Sequence, residues 1–198
     1  MSDLENVLLS SPGWAVASWI ALYVGDYSLT IWGARLYRQG ANEHIVFEGS
    51  YELTPQFQKD IDRLRTFSPR FFLHLVLSAA ALAAMWFVVH GQPGDRVLFL
   101  AFYGALVFPQ FVVLVRHARN IALFRRLQTH QGVEGRVSYA KWLTREQSSV
   151  ELAFMALLLL AAAGVAGNAS LYGGAFALAV LSLKHRGMSR KQRPAPRA

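Results

Sequence analysis

The sequence contains no cysteine, and this absence removes several chemical classes together. Disulfide frameworks, thiolate nucleophiles, iron–sulfur clusters and thiolate zinc sites all depend on that side chain. No Gly-x-Ser-x-Gly elbow, His-Glu-x-x-His zinc helix or phosphate-binding glycine loop occurs either. The sequence therefore predicts no metal site and no cofactor, and it disfavours hydrolytic chemistry.

Charged residues are also scarce, at 16% of the 198 residues against about 25% in soluble domains. Hydrophobic residues make up 54% of the chain. This composition indicates a single transmembrane domain, residues 1–186, because a bundle of spans would use most of the length. The net charge of +8 does not predict a nucleic-acid partner, since basic residues of membrane proteins gather in cytoplasmic loops.

Apolar segments define the predicted spans. A helix needs roughly 20 apolar residues to cross a hydrocarbon core about 30 Å thick. Segments 14–35, 71–90 and 97–116 meet this length directly. The later apolar stretch is too long for one span, and the turn residues Gly167 and Asn168 divide it into spans 150–166 and 169–184. The sequence thus predicts an all-α, polytopic membrane helix bundle with about five transmembrane helices.

Basic residues orient these five spans, because Lys and Arg accumulate in cytoplasmic loops. With the N-terminus outside and the C-terminus in the cytoplasm, all 20 basic residues except Arg96 fall on the cytoplasmic side. Residues 1–13 carry no basic side chain, so a cleaved signal peptide is not expected. The predicted location is a plasma or inner membrane, and residues 187–198 are predicted to form a basic, disordered tail.

The cytoplasmic loops also carry helix signals. Phe57, Ile61 and Leu64 recur at helical spacing after Thr54-Pro55, which predicts a short amphipathic helix before the second span. The third span is expected to continue as a helix to about residue 130. The residues 144–147 match a capping box, which predicts a helix start for the fourth span.

Polar side chains occur inside or at the ends of the predicted spans, where they are costly: Asp26, Thr30, His74, Gln110 and Glu151. The predicted orientation places this group in the inner half of the membrane. It predicts a polar cavity that opens to the cytoplasm and binds a cation or small solute or relays a proton, with Asp26 as the principal group. The simpler alternative is hydrogen bonding between helices, with Tyr103 or His74 as the partner of Asp26.

Basic residues next to the spans are predicted to contact anionic lipid head groups: Arg116, Arg119, Arg125, Arg126, Lys184 and Arg186. A binding site for an anionic ligand is the alternative for the four arginines. Ala169, Gly173 and Ala177 form a smooth stripe on the fifth span that predicts close packing against the fourth. Because five spans enclose little interior, a symmetric homo-oligomer is predicted to build the pathway.

Three functions fit these patterns. The first is a homo-oligomeric transporter or channel for a cation or small solute. The second is a membrane-embedded, lipid-modifying enzyme with Asp26 and His74 as base and acid. The third is a non-catalytic scaffold whose basic cytoplasmic face recruits lipids or partners.

Overall fold

Long α-helices account for most of the computed structural model, which describes residues 3–48, 57–89, 95–129 and 134–194. The helices are α1 (Asp3–Ser10), α2 (Pro12–Leu36), α3 (Asn42–His44), α4 (Gln58–Asp62), α5 (Pro69–Val89), α6 (Asp95–Gln128), α7 (Lys141–Ala166) and α8 (Ala169–Gln192), and a π-helical turn, Tyr37–Ala41, joins α2 to α3. Strands β1 (Ile45–Phe47) and β2 (Val137–Tyr139) form one small parallel pair in which Ile45 lies opposite Val137. The predicted all-α class is confirmed.

Three of the described helices have the length and apolar composition of a membrane span: α5, α6 and α7. Helix α6 has 34 residues and ends at Gln128, so the predicted extension of the third span beyond residue 116 is confirmed. The chain therefore has the features of a multi-pass membrane protein with three candidate spans.

The helix break between α7 and α8 lies inside the segment where turn residues predicted it. Gly167 adopts a left-handed conformation, with φ of 61°, and its N–H donates to the Ala163 carbonyl over 2.8 Å. The Asn168 side chain then accepts a hydrogen bond from Leu171 N–H over 3.2 Å and caps α8. These two short-range contacts reverse the chain direction without a longer loop.

Helix α7 begins earlier than its predicted capping box. Thr144 lies inside the helix, where its hydroxyl donates to the Ala140 carbonyl over 3.3 Å, so the capping-box prediction is wrong. A distant carboxylate takes that role instead: Glu48 accepts a hydrogen bond from Lys141 N–H over 3.2 Å, directly after β1. Pairing of β1 with β2 brings the two segments together.

The predicted amphipathic helix before the second span is present as the short α4. Ile61 is buried, and Asp60 accepts hydrogen bonds from the Ser68 hydroxyl over 2.6 Å and from Arg65 over 3.2 Å. These bonds tie α4 to the start of α5. The predicted start signal, Thr54-Pro55, lies outside the described residues.

Helix α8 continues past the point where the basic tail was predicted to become disordered. Residues 187–192 are helical, and residues 195–198 lie outside the described part of the chain. The Ser189 hydroxyl donates to the Trp142 carbonyl over 2.8 Å, and the Arg193 guanidinium lies 5.0 Å from the centre of the Trp142 ring. Contact with α7 therefore orders this segment, which composition alone does not reveal.

The end of the bundle next to α1, called the α1 end, is densely packed. Trp19 of α2, Leu82 of α5 and Phe99 of α6 are all buried there. Helices α6 and α8 touch through their backbones, because a Cβ atom at Gly104 would overlap Ser170 and one at Gly173 would overlap the Ala101 backbone. Gly173 of the predicted small-residue stripe therefore contacts α6, and α8 packs against both α6 and α7, the second of these as predicted.

Candidate functional site

A cavity of about 570 Å³ lies at the opposite end of the bundle, beside the β1–β2 pair. Its walls come from α2, α6, α7, α8 and the two strands. Its polar lining includes Asp26, Thr30, Glu48, Gln110, Arg116, His117, Arg119, Asn120, Lys141, Ser148, Glu151 and His185. The structure therefore brings four of the predicted polar residues to one space: Asp26, Thr30, Gln110 and Glu151.

His74, the fifth predicted residue, lies elsewhere. Its side chain is exposed on α5, with its ring 5.7 Å from that of Phe57 in an edge-to-face arrangement. The alternative partners for Asp26 also differ from the predicted ones, because the Tyr103 hydroxyl pairs with that of Ser18 over 2.8 Å. The partner of Asp26 is a histidine that the sequence analysis did not single out, His117.

The Asp26 carboxylate, the Thr30 hydroxyl and the His117 ring form one cluster. Nε2 of His117 lies 3.1 Å from Oδ1 of Asp26 and 3.0 Å from Oγ1 of Thr30. The Thr30 contact has hydrogen-bond geometry, whereas the Asp26 oxygen is at ion-pair distance and is not aligned as an acceptor. Thr30 lies one helical turn after Asp26, so both side chains leave α2 on the same face.

Hydrogen-bond donors fix which ring nitrogen of His117 carries a proton. The single hydroxyl proton of Thr30 is donated to the Asp26 carbonyl over 2.9 Å. The Thr30 oxygen must therefore accept from His117, so Nε2 carries the proton and Nδ1 is the acceptor nitrogen of the neutral ring. Nδ1 is buried at the cavity and has no hydrogen-bond partner in the described part of the chain.

A second cluster of charges joins α6 to α7 on the other side of the cavity. Nε of Arg116 lies 3.0 Å from Oε2 of Glu151, and Nη1 of Arg116 donates to the Ser148 hydroxyl over 3.0 Å. Arg119 approaches the other oxygen of Glu151 at 3.6 Å. Glu151 is thus an ion-pair partner for two arginines and is not a free cation ligand.

Several buried polar atoms at the cavity have no hydrogen-bond partner among the described residues. They are two donors, Nε2 of Gln110 and Nη2 of Arg116, and two ring nitrogens, Nδ1 of His117 and Nδ1 of His185. A buried polar atom without a partner costs about 1–3 kcal/mol, so such atoms in natural proteins usually serve a ligand, an ion or a bound water. Their convergence on one space identifies the cavity as the candidate binding site.

Of the basic residues predicted to contact lipid, two line the cavity, one stacks on an aromatic ring and three others are exposed. Arg116 has a side chain only 15% exposed and belongs to the cavity, and Arg119 lies at its edge with 65% exposed. The Arg125 guanidinium stacks on the Trp32 ring at 4.5 Å. The remaining three are exposed, and they are Arg126, Lys184 and Arg186.

The sequence does contain a pattern that predicts a role for His117. It follows Gln110 by seven residues, which is nearly two full turns, so the two side chains share one face of α6. Arg145 and His185 carry no comparable signal, because their burial depends on how α7 and α8 pack. In the described part of the chain, no group of three or more His, Asp or Glu residues could hold a metal ion.

The arrangement offers two kinds of contact to a ligand. Nδ1 of His117 can accept a hydrogen bond, and the unpaired donors of Gln110 and Arg116 can bind the oxygens of a small ligand. No family model, curated protein or solved structure matches this chain.

Proposed function

We propose that this chain is a five-span membrane protein that carries a small solute across the bilayer and couples its movement to protonation of the Asp26–His117 pair. The observation that carries the proposal is the convergence of unpaired buried polar atoms from α6 and α8 on one cavity of about 570 Å³. That volume falls within the usual range for small-molecule sites, roughly 300–1,000 Å³.

The length and outer surface of α2 and α8 support five spans over three. Helix α2 contains 25 residues, which gives a length of about 37 Å, enough to cross a core of about 30 Å, and α8 has an apolar part before its basic end at Lys184. Large apolar side chains face outward on both, with Val24 of α2 41% exposed and Phe176 and Leu183 of α8 71% and 68% exposed. Lipid is the environment that accommodates such a surface.

The position of the cavity supports a binding site reached from the cytoplasm. With the N-terminus outside, the sheet end of the bundle faces the cytoplasm and the densely packed α1 end faces outward. A hydrogen bond of 2.9 Å from the Asn168 amide to Glu5 adds to the outer contacts. This arrangement corresponds to the inward-facing state of a transporter.

The charges of the cavity favour a small solute over a free cation. Asp26, Glu48 and Glu151 are acidic, but Arg116, Arg119 and Lys141 line the same space. A cation would meet as many positive as negative side chains. A solute that has its own acceptor groups fits this lining better, because the unpaired atoms of Gln110 and Arg116 are donors.

The proton step follows from the geometry of His117. Protonation at Nδ1 makes the ring an imidazolium, and the Asp26 carboxylate at 3.1 Å balances the new charge. Thr30 keeps Nε2 in place through both states, because it accepts from the Nε2–H in each. A solute that arrives with a proton can therefore leave it on Nδ1.

The test is solute-dependent proton movement in liposomes that contain the purified protein and a trapped pH dye. The solutes are a fixed panel of phosphate, lactate, succinate, alanine, ammonium and potassium. We expect proton movement with at least one of them, and its loss in Asp26→Asn and His117→Gln. Glu134→Gln removes an exposed carboxylate outside the cavity lining and serves as the matched control. Absence of movement in the wild-type protein across the whole panel contradicts transport.

A lipid-modifying enzyme is the second candidate, with His117 in the place predicted for His74. The observation that favours it is the Asp26–His117 contact, since an acid–base pair of this kind also serves general base catalysis. Thin-layer analysis of the liposome lipids separates the two functions. New lipid species that disappear in His117→Gln would establish the enzyme, and unchanged lipids would exclude it. A scaffold would change neither lipids nor proton distribution.

Lipid contacts and oligomeric state remain predictions. The exposed Arg126, Lys184 and Arg186 retain the predicted role at anionic head groups of the cytoplasmic leaflet. A cavity enclosed by one chain removes the need for a homo-oligomer to build the site, and the α8 stripe at Gly173 is occupied by α6. A homo-oligomer would therefore use other surfaces. Mass photometry of the detergent-solubilised protein measures the number of chains in each complex.

A further inference from the structure

Helices α6 and α8 place polar atoms at the cavity that neither the proton step nor the structural hydrogen bonds use. Arg116 directs Nε toward Glu151 and Nη1 toward Ser148, and its Nη2 is buried without a hydrogen-bond partner in the described part of the chain. Nδ1 of His185, on α8, is buried in the same way. Both residues line the cavity.

Arg145, on α7, is a second arginine next to this site. It does not line the cavity itself, but Thr144 and Gln147 on either side of it do. Arg145 is 4% exposed, and the described part of the chain offers it no hydrogen bond or ion pair. Two hydrogen-bonded contacts between α7 and α8, one before Arg145 and one after it, show which part of α8 lies beside it. The Trp142 carbonyl accepts from Ser189, and the Ser149 hydroxyl donates to the Ser182 carbonyl. Arg145 therefore lies level with residues 185–186 of the antiparallel α8.

Burial and the positive charges of Arg116, Arg145 and Lys184 lower the pKa of His185 to about 4, so its ring is uncharged at neutral pH. The ring therefore offers a hydrogen bond, and the arginines supply the positive charge. Glu151 is the carboxylate that pairs with Arg116, and Arg119 shares it. One carboxylate thus stands against three arginines in this region, so an anion bound here would offset the remaining positive charge.

We propose that Arg116 and His185 bind a phosphate group that is either free or part of a phosphate ester such as a lipid head group, and that the nearby charge of Arg145 adds to the attraction. The proposal rests on the proposed function for the cavity as a ligand site, and it names the chemical class of the ligand. The two unpartnered atoms, Nη2 of Arg116 and Nδ1 of His185, come from α6 and α8. A tetrahedral oxyanion has oxygens for both, and the guanidinium group is well suited to phosphate.

The first experiment measures phosphate binding by titration calorimetry, with the full-length protein in a neutral detergent at constant ionic strength. We expect wild-type binding, and a loss of affinity of about tenfold or more in Arg116→Gln, as for a hydrogen bond to a charged group. Arg126→Gln is the matched control, because Arg126 is exposed on the same helix and does not line the cavity. Absence of wild-type binding, or an equal loss in Arg126→Gln, overturns the proposal.

A second variant separates binding from structural effects. Glu151→Gln removes the carboxylate that competes for Arg116, so phosphate should bind severalfold more tightly even if the protein becomes less stable. A site that merely needs an intact ion pair would bind more weakly in this variant, and that result would contradict the proposal. Arg145→Lys retains the charge at a buried position, and weaker but measurable binding is expected.

The source of the phosphate group is decided by competition. Short-chain phosphatidic acid and glycerol phosphate are added to the phosphate-bound protein, with short-chain phosphatidylcholine as the control lipid. Displacement by phosphatidic acid alone identifies a lipid ligand, and displacement by glycerol phosphate identifies a soluble ester. Displacement by phosphatidylcholine as well would show that acyl chains, not the anionic group, determine binding, and would overturn the proposal.

Failure of this proposal and failure of the proposed function give different results. Phosphate binding without solute-dependent proton movement leaves the anion site intact and removes transport. Proton movement that depends on Asp26 without phosphate binding leaves transport intact and removes the anion site. The binding assay uses no membrane gradient, so each result stands independently.

Discussion

Gly173→Ala should destabilise this protein more than any other substitution of one methyl group that we consider. The added Cβ would overlap the Ala101 backbone of α6, and a backbone atom cannot rotate away as a side chain does. Gly104 touches Ser170 one turn further along the same seam, so separation at one point also opens the other. Overpacking of this kind costs about 1–3 kcal/mol, and a gap along the seam removes further dispersion energy.

The expected loss is therefore about 3 kcal/mol, or about 100-fold in the ratio of folded to unfolded protein. Gly164→Ala is the matched control, because a Cβ there meets no atom within 4 Å. The control should gain up to about 1 kcal/mol, since alanine favours a helix over glycine. Reversible unfolding in mixed detergent–SDS micelles, followed by circular dichroism, measures both. Equal stability of Gly173→Ala and wild type would refute the close approach of α6 and α8.

Three further predictions concern the site, the α7–α8 contact and the topology. Thr30→Val removes the hydroxyl that orients His117 and should lower solute-dependent proton movement about fivefold, as expected for one lost hydrogen bond, with little change in stability. Unchanged proton movement would contradict the assigned tautomer of His117. Ser149→Ala and Ser182→Ala should each lower the free energy of unfolding by about 1 kcal/mol, because each removes a hydroxyl that donates to the backbone carbonyl of the other residue. The two losses should add in the double variant, since the carbonyls remain, and unchanged stability of both single variants would contradict the contact. Because the chain has no cysteine, a single introduced cysteine can be labelled selectively with an impermeant maleimide. Ser10→Cys should react on intact cells, and Glu134→Cys should react only after permeabilisation. The reverse result would contradict the predicted orientation.

Local sequence chemistry predicted the helix breaks better than the helix starts. Gly167 and Asn168 act through contacts within four residues, and such contacts can be read from the sequence. The start of α7 depends on Glu48, which is 93 residues away and reaches Lys141 through the β1–β2 pair. A capping box at residues 144–147 is a valid local signal, but a distant carboxylate determines the outcome.

The sequence could not predict the direction in which the candidate side chains point. Counting residues from the predicted cytoplasmic end gave Asp26, His74 and Gln110 related heights, and Asp26 and Gln110 do line one cavity. Depth does not say which side of a helix faces the interior, because that depends on its neighbours. The side of α5 that carries His74 is exposed, whereas α6 contacts α2, α5 and α8 and directs Gln110 and His117 to the cavity.

Helix α6 connects two walls of the cavity because consecutive residues on a helix point about 100° apart. Arg116 reaches Glu151 on α7, and its neighbour His117 reaches Asp26 on α2. The glycine seam fixes α6 against α8, and serine hydrogen bonds fix α8 against α7, so the anion-binding wall behaves as one unit. A change in protonation at His117 acts on its contact with α2 and leaves that unit in place. One small bundle can therefore bind an anionic group and exchange a proton at separate walls of the same cavity.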